Sequence, residues 1–518
     1  MRSSTERALR RVDAVFTRLF GWRYHPLHQT GTVAVALLVV LIVTGLYLLV
    51  FFRVGTPWAS VARIVGDPYL GRWMRSLHRF ASDAMVVAVL LHALRMFAQD
   101  RRWGPRALAW ISGVGLLLFV FVSGWTGFVI VWDEFGARLA MAGARLFDAL
   151  PILSEPVGRV FSGERPIPGA FFFVNLFLHV AVPLGIAAGL WVHVSRLARP
   201  VLLPPRILTW VIVGGLWALA VVAPAPLAPQ ADAFNLPATV PVDVFYAFWL
   251  QLVERLPSWG AWTGALATLA IATAIPRLTR RPREGRYAPS VVDERYCTGC
   301  NQCPQDCPWD AISMVPRTDG RASLVARVDP SSCVSCGLCA GSCAPMGVGP
   351  AHRTGRDQLH EIRALVQTGL QPGGAPITAL LCEHAPDSHG AALARAGARV
   401  QHVSCTGNVH TSAVELLLRN GSAGVIIFSC PPRDCRGREG PKWLEQRLYH
   451  DREAELQPRV DKRRVHLATA ASGDLAGTVG AYHAFAHSVA GLGSVEVHGD
   501  LADVECVPTP VDARRRRR

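Results

Sequence analysis

The chain has 518 residues, of which 51% are hydrophobic and 18% charged, with a formal net charge of +15. The shortage of charge is confined to residues 31–276, while residues 277–518 read as soluble protein. No basic groove interleaved with aromatics accompanies the positive charge, which excludes a nucleic-acid partner; arginines flanking apolar segments point instead to membrane topology.

In chain order, residues 1–30 form a cytoplasmic amphipathic N-terminus with six arginines. Apolar segments at 31–52, 80–98, 108–131, 170–194, 207–224 and 259–276 predict six membrane spans, most of them near the ~20 residues needed to cross hydrocarbon. The last is short and stops at Pro276. Arginines crowd the N-terminus, the second and fourth connections and the segment after the sixth span, the side expected to face the cytoplasm. Arg53, Arg63, Arg72 and Arg75 run against that bias. An even span count places the C-terminal half in the cytoplasm and the protein in the cell inner membrane.

The spans carry ionisable groups, which are costly in lipid and usually functional. His78 and His92 are 14 residues apart, and so are His179 and His193. Fourteen residues are close to four helical turns, or ~21 Å. Each helix therefore offers two imidazoles on one face, and two such helices make two bis-histidine sites suited to six-coordinate haem iron. The same interval separates Gly31 from Gly45 and Gly113 from Gly127, where glycine lets a flat macrocycle approach the backbone.

Residues 20–276 resemble cytochrome b of the bc1 and b6f complexes. The matching features are the histidine and glycine constellation and the stretch Gly-Trp-Thr-Gly-Phe-Val-Ile-Val-Trp at 124–132. The resemblance implies two haems b, one between His78 and His179 near the outer surface and one between His92 and His193 near the cytoplasm. It also implies that Arg75 meets a haem propionate and that Arg95 takes a similar position at the inner haem. The family's outer quinol motif corresponds to Val-Asp-Val-Phe-Tyr at 242–246, which puts Asp243 where the family has a glutamate. A carboxylate there takes or gives the protons of quinone chemistry; the alternative is a plain interfacial acid, and Asp133 and Glu134 are rivals. The family's last two helices are absent. Its inner-site histidine is replaced by Ala198, which argues against a second, inner quinone site.

After a basic linker at 277–290, residues 291–350 hold Cys297, Cys300, Cys303 and Cys307, then Cys333, Cys336, Cys339 and Cys343, each as C-x2-C-x2-C-x3-C. This spacing resembles the bacterial two-cluster ferredoxin, in which the fourth cysteine of each run serves the other cluster. One [4Fe–4S] cluster would take Cys297, Cys300, Cys303 and Cys343, and the second Cys333, Cys336, Cys339 and Cys307. A connector at 351–373 contains a short helix and a turn-rich joint at 369–374.

Residues 374–500 alternate strand and helix, predicting a small parallel α/β layer with Cys382, Cys405, Cys430 and Cys435 near strand ends. Four thiolates there suit a [2Fe–2S] cluster or zinc, with scattered structural thiols as the remaining reading. The domain resembles the delta subunit of methyl-viologen-reducing hydrogenase through Val-Ser-Cys-Thr-Gly at 403–407, Ser-Cys-Pro-Pro-Arg-Asp-Cys at 429–435 and Thr-Ala-Ala-Ser-Gly at 469–473, which implies [2Fe–2S]. The family's first motif has several cysteines where this chain has Cys382 alone. Cys506 is left over, and residues 501–518 end in five arginines, read as a solvated tail or a contact for anionic lipid or an acidic partner.

The expected fold is thus multi-domain: an α-helical transmembrane haem bundle, an α+β ferredoxin domain and a small α/β domain. The expected function is electron transfer between a soluble cytoplasmic oxidoreductase and the quinone pool, making the chain a subunit of a quinone-linked oxidoreductase. By analogy the partner is hydrogenase-, formate dehydrogenase- or heterodisulfide reductase-like. The alternatives are a membrane anchor and wire without its own quinone site, and a redox-sensing docking subunit. Cytochrome b relatives suggest a homodimer.

Overall fold

The computed structural model describes residues 4–102, 104–151, 155–161, 167–232, 243–279, 288–367 and 377–493. Cys506, the arginine tail, the joint at 369–374 and most of the basic linker lie outside them. The chain divides into two compact units. The first comprises Gln29–Ser195 and Pro200–Arg280; the second comprises Met1–His28, Arg196–Arg199 and Arg281–Arg518.

The second unit begins with α1 (Ser4–Phe20). This N-terminal helix packs on the C-terminal domain. Glu6 pairs with Arg436 at 2.6 Å, and Arg10 donates to the His384 carbonyl at 2.7 Å.

The first unit is helical: α2 (Thr30–Phe51), α3 (Pro57–Gly66), α4 (Gly71–Ala98), α5 (Ala107–Val129), α6 (Glu134–Asp148), α7 (Gly169–Val194), α8 (Arg206–Val222), α9 (Leu250–Arg255) and α10 (Ser258–Leu278). Long apolar runs become helices because, in lipid, only intrahelical bonds satisfy the backbone. Five helices among the described residues are long and apolar enough to cross a membrane: the run ending α2, α4, the run ending α5, α7 and α10. The segment that looked shortest, α10, continues past Pro276 to Leu278 and qualifies. The fifth expected span, α8, is the one that falls short. Pro204 and Pro205 before it and Pro224 after it trim it to 17 residues, about 26 Å of helix. Helix α2 lies along α4 and α5 along α7, and their core includes Leu37, Ala81, Met85, Val120 and Ile186.

In the second unit, β1 (Val291–Val292) pairs antiparallel with β4 (Val348–Gly349), and β2 (Ile312–Pro316) with β3 (Leu324–Val328). Short helices α11 (Gln302–Asp306) and α12 (Leu338–Gly341) follow the two cysteine loops, and α13 (Gly355–Gln367) leads onward. The C-terminal domain has strands β5 (Thr378–Cys382), β6 (Arg399–Val403), β7 (Val425–Ser429) and β8 (Val465–Thr469), all parallel in the order β6-β5-β7-β8. Helices α14 (Asp387–Arg395), α15 (Thr411–Arg419), α16 (Gly440–Tyr449) and α17 (Leu475–Ala490) complete it. Strands β5 and β7 are buried along their whole length, which explains their unbroken apolar sequences.

Candidate haem and iron–sulfur sites

The four histidines meet in two pairs. The rings of His78 (α4) and His179 (α7) have centroids 6.2 Å apart, and those of His92 (α4) and His193 (α7) 6.3 Å. Each gap accommodates one metal atom between two facing nitrogens. In every ring Nδ1 is engaged from the neighbouring helix: His78 by Thr44 at 2.9 Å, His92 by Thr30 at 3.5 Å and His193 by Ser112 at 3.1 Å. His179 meets the Ser123 carbonyl at 2.8 Å and Thr126 at 3.4 Å. Such outer partners fix the tautomer and leave Nε2 for a metal.

The glycines stand against these rings. A Cβ at Gly31, Gly45, Gly113 or Gly127 would meet His92, His78, His193 or His179 at 3.0, 3.2, 3.2 and 2.8 Å respectively. Their first neighbour is therefore the imidazole of the paired helix, a duty added to the room expected beside a macrocycle. Thr30, Thr44, Ser112 and Thr126 each precede one of these glycines and share the interval of 14. Those hydroxyls escaped the reading of the sequence, although their spacing matches that of the glycines. Arg75 donates to the carbonyls of Ala225 and Pro226, at 2.8 and 3.1 Å, and Arg95 is buried in α4. This donor set, two facing imidazoles with fixed tautomers beside small residues, fits haem at both levels.

Asp243 is not a loose loop acid. One oxygen accepts from the amides of Phe245, Tyr246 and Ala247, and the other pairs with Arg79 at 2.5 Å. The rival Asp133 is committed as the N-cap of α6, accepting from Gly136 N at 2.8 Å, and Glu134 opens that helix.

The first three cysteines of the first run and the last of the second line one cavity: Cys297, Cys300, Cys303 and Cys343. Cys339 lies among Cys336, Cys333 and Cys307, which makes the second interleaved set. The loops close by a shared backbone device. Gly299 and Asn301 in one, and Ser335 and Gly337 in the other, take positive φ at the second and fourth positions after the leading cysteine. Glycine and asparagine enter that region at least cost. Burial pushes the Cys343 thiol up to about 11, with the Gly347 amide opposing and the Cys300 sulfur adding to it. A metal cation is what would hold such a cage as thiolates, so both sets fit [4Fe–4S] clusters.

The third set also converges. Cys382 ends β5, Cys405 follows β6, Cys430 follows β7, and Cys435 lies in the next loop. Cys382 Sγ lies 3.3 Å from Cys430 Sγ, Cys435 interacts with both Cys405 and Cys430, and all four are buried. Parallel strands deliver their C-terminal ends to one edge, where binding residues gather. Four buried thiols fit a [2Fe–2S] cluster or zinc.

Cys405 packs with Leu338 and Trp443, and Cys336 lies against this trio. On another side, Arg196–Arg199, the segment just after α7, joins the ferredoxin loops. Ala198 N donates to the Pro308 carbonyl at 3.2 Å, Arg196 to Ser332 Oγ at 2.9 Å, and Arg199 pairs with Glu439 at 2.7 Å. Buried Arg447 donates to Ser342 Oγ at 3.2 Å and to the Gly407 carbonyl at 2.9 Å, tying the second cysteine run to the C-terminal domain.

Comparison with known proteins assigns three regions. Residues 23–200 match the cytochrome b/b6/petB family, residues 296–347 the 4Fe-4S dicluster domain, and residues 378–493 the methyl-viologen-reducing hydrogenase delta subunit. The cytochrome b subunit of menaquinol:cytochrome c reductase from Geobacillus thermodenitrificans is 26% identical over 165 residues, 30% of this chain and 74% of that protein. The Bacillus subtilis counterpart is 27% identical over 166 residues, with the same coverage. A chain of a hyperthermophilic respiratory Complex III aligns with a TM-score of 0.37 and 15% identity, over 49% of this chain and 75% of that one. The matches imply haem b and 4Fe-4S centres in an electron-transport subunit with transmembrane helices.

Proposed function

We propose that this chain passes electrons between a soluble cytoplasmic oxidoreductase and the quinone pool through one [2Fe–2S] cluster, two [4Fe–4S] clusters and two haems b. The observation that carries this reading is the convergence of every candidate ligand into five sets. In it, His78 with His179 and His92 with His193 hold the haems. Cys297, Cys300, Cys303 and Cys343 hold one [4Fe–4S] cluster, Cys333, Cys336, Cys339 and Cys307 the other, and Cys382, Cys405, Cys430 and Cys435 the [2Fe–2S] cluster. These centres supply one-electron transfer; the protein's part is to hold them, exclude water and handle protons at the quinone.

The segment where the cytochrome b family has its inner-site histidine supports the assignment. Here Ala198 gives its backbone amide to the Pro308 carbonyl, beside Cys307. The stretch that would serve an inner quinone instead holds a ferredoxin loop. We place the iron–sulfur domains in the cytoplasm and the membrane unit in the cell inner membrane, which requires α8 to cross as a sixth span. The partner is hydrogenase-, formate dehydrogenase- or heterodisulfide reductase-like, and the complex is dimeric or larger.

Electrons flow from the cytoplasmic donor to quinone. Moving an electron outward across the membrane is downhill by ~2.3 kcal/mol per 100 mV, and ferredoxin-type clusters sit at lower potential than quinones. The test is a redox-difference spectrum with iron and haem counts on detergent-purified protein, followed by quinone reduction from an artificial low-potential donor. Two b haems, about ten cluster irons and quinone turnover are expected. One haem or none overturns the histidine assignment, and clusters poised above the quinone overturn the direction.

The threonine partners give a finer expectation. Thr44 donates to the Val40 carbonyl at 2.7 Å, so its lone pair receives the His78 Nδ1–H. That bond makes the imidazole a stronger donor to oxidised iron. Thr44→Val removes it, and a neutral hydrogen bond of about 1 kcal/mol corresponds to roughly 40 mV in a one-electron couple. The haem at His78 should rise in potential by about that amount in a spectroelectrochemical titration, and the other haem should not move.

A further inference from the structure

Asp83 is an acid inside the membrane helix α4. It lies five residues after His78, which is about 7.5 Å further along the helix axis. Acids at such positions are rare and mark proton or substrate paths.

Arg79 joins Asp83 to Asp243. Its Nη1 is 2.6 Å from Asp83 Oδ1 and its Nη2 is 2.5 Å from Asp243 Oδ2. The two acids are not equivalent. Asp243 Oδ1 accepts from the amides of Phe245, Tyr246 and Ala247 at 3.0, 2.6 and 3.3 Å and so caps the turn before α9. Asp83 has the guanidinium as its one hydrogen-bond partner among the described residues. One guanidinium balances one carboxylate, and a net charge in lipid is costly. The acid where a proton can come and go without undoing a cap is Asp83.

Aromatic rings flank the guanidinium. The Arg79 guanidinium lies 4.5 Å from the centre of the Phe128 ring and 5.9 Å from that of Tyr246. The Tyr246 hydroxyl is tied to Ser82, one residue from Asp83, at 2.6 Å to its hydroxyl and 2.9 Å to its carbonyl. The charged and titratable groups that act on Asp83 are Arg79 on its own helix and Asp243 and Tyr246 from the segment before α9.

We propose that Asp83 is the proton donor to the quinone, with Arg79 and Asp243 as positioning residues. The inference rests on the quinone-linked reading above. Two electrons, delivered through the chain's own redox centres, and two protons convert quinone to quinol. Each new O–H bond forms at a quinone oxygen as the carboxyl O–H of Asp83 breaks. Asp83 regains a proton from the aqueous side between the two transfers.

The test uses the full-length holoprotein in proteoliposomes with a short-chain menaquinone analogue. In Asp83→Asn, kcat should fall about 10²-fold or more while KM changes little, the range lost with a general acid. The pH profile of quinone reduction should flatten, and the carboxyl band in the redox-induced infrared difference spectrum should disappear. Asp83→Glu should restore the band and most of the rate. Wild-type kcat and pH profile in Asp83→Asn would overturn the role of Asp83 while leaving the quinone reading intact. Loss of haem in both variants would assign Asp83 a structural role and overturn the proposal as well. No quinone turnover by the wild-type holoprotein would overturn the quinone reading itself, and this inference with it.

Discussion

The variant His179→Leu is expected to purify with one b haem in place of two, and its quinone reduction should fall to background. His179 faces His78 across 6.2 Å, and the second pair lies four helical turns away. Sites so far apart, with no shared partner among the described residues, respond independently. Leucine has similar bulk, so the α5–α7 contact survives, and Gly127 then faces an aliphatic side chain. The haem held by His92 and His193 should keep its low-spin spectrum and potential, which separates loss of one ligand from misfolding. Dithionite should still reduce that haem. A low-potential donor should reduce it through the clusters at the wild-type rate, because the break lies beyond it. Haem counts by pyridine haemochrome and stopped-flow spectra at the b-haem maximum make both readings. Two haems in the variant would mean that His179 is not a ligand and would dissolve the pairing.

The pairing was legible because its signal is arithmetic. An interval of 14 repeated in His78 and His92, His179 and His193, Gly31 and Gly45, and Gly113 and Gly127 survives any uncertainty about helix ends. The doubled cysteine runs were legible for the same reason, and the cavity formed by Cys297, Cys300, Cys303 and Cys343 gathers residues 46 positions apart. Strands β5 and β7 stood out as short apolar runs buried on both faces, whereas β6 and β8, more polar and only partly buried, did not. Three features stayed hidden because they depend on what lies opposite. Composition gives α8 as a span; only its flanking prolines reveal how short it is. The amphipathic pattern of α1 does not show that the helix buries Glu6, Asp13 and Thr17 and leaves Val12, Val15, Leu19 and Phe20 exposed. The link of Asp83 through Arg79 to Asp243, 160 residues away, is a property of the fold.

The two [4Fe–4S] sites are expected to differ sharply in what their loss does to haem reduction. Cys336 packs beside Cys405, and a Cβ at Gly437 would lie 3.4 Å from Cys405 Sγ and 3.7 Å from Cys336 Cβ. The set containing Cys336 therefore adjoins the proposed [2Fe–2S] site. The same set contains Cys307, whose carbonyl accepts from Arg199 at 3.4 Å, next to the Pro308 carbonyl held by Ala198. One set thus touches both the C-terminal thiols and the Arg196–Arg199 segment. In the other set Cys300 meets the carboxylate of Glu453 in the C-terminal domain, not one of its cysteines. Electrons entering at the [2Fe–2S] cluster should pass through the Cys336 set, with the Cys300 set as a side branch that stores an electron or receives one from a second donor. Cys336→Ser should therefore leave the [2Fe–2S] cluster reducible and drop haem reduction to background. Cys300→Ser should alter one [4Fe–4S] signal and leave the rate of haem reduction near that of the wild type. Freeze-quench electron paramagnetic resonance, read beside stopped-flow haem absorbance, distinguishes the cases. A Cys300→Ser block as complete as that of Cys336→Ser would put both clusters in series and remove the branch.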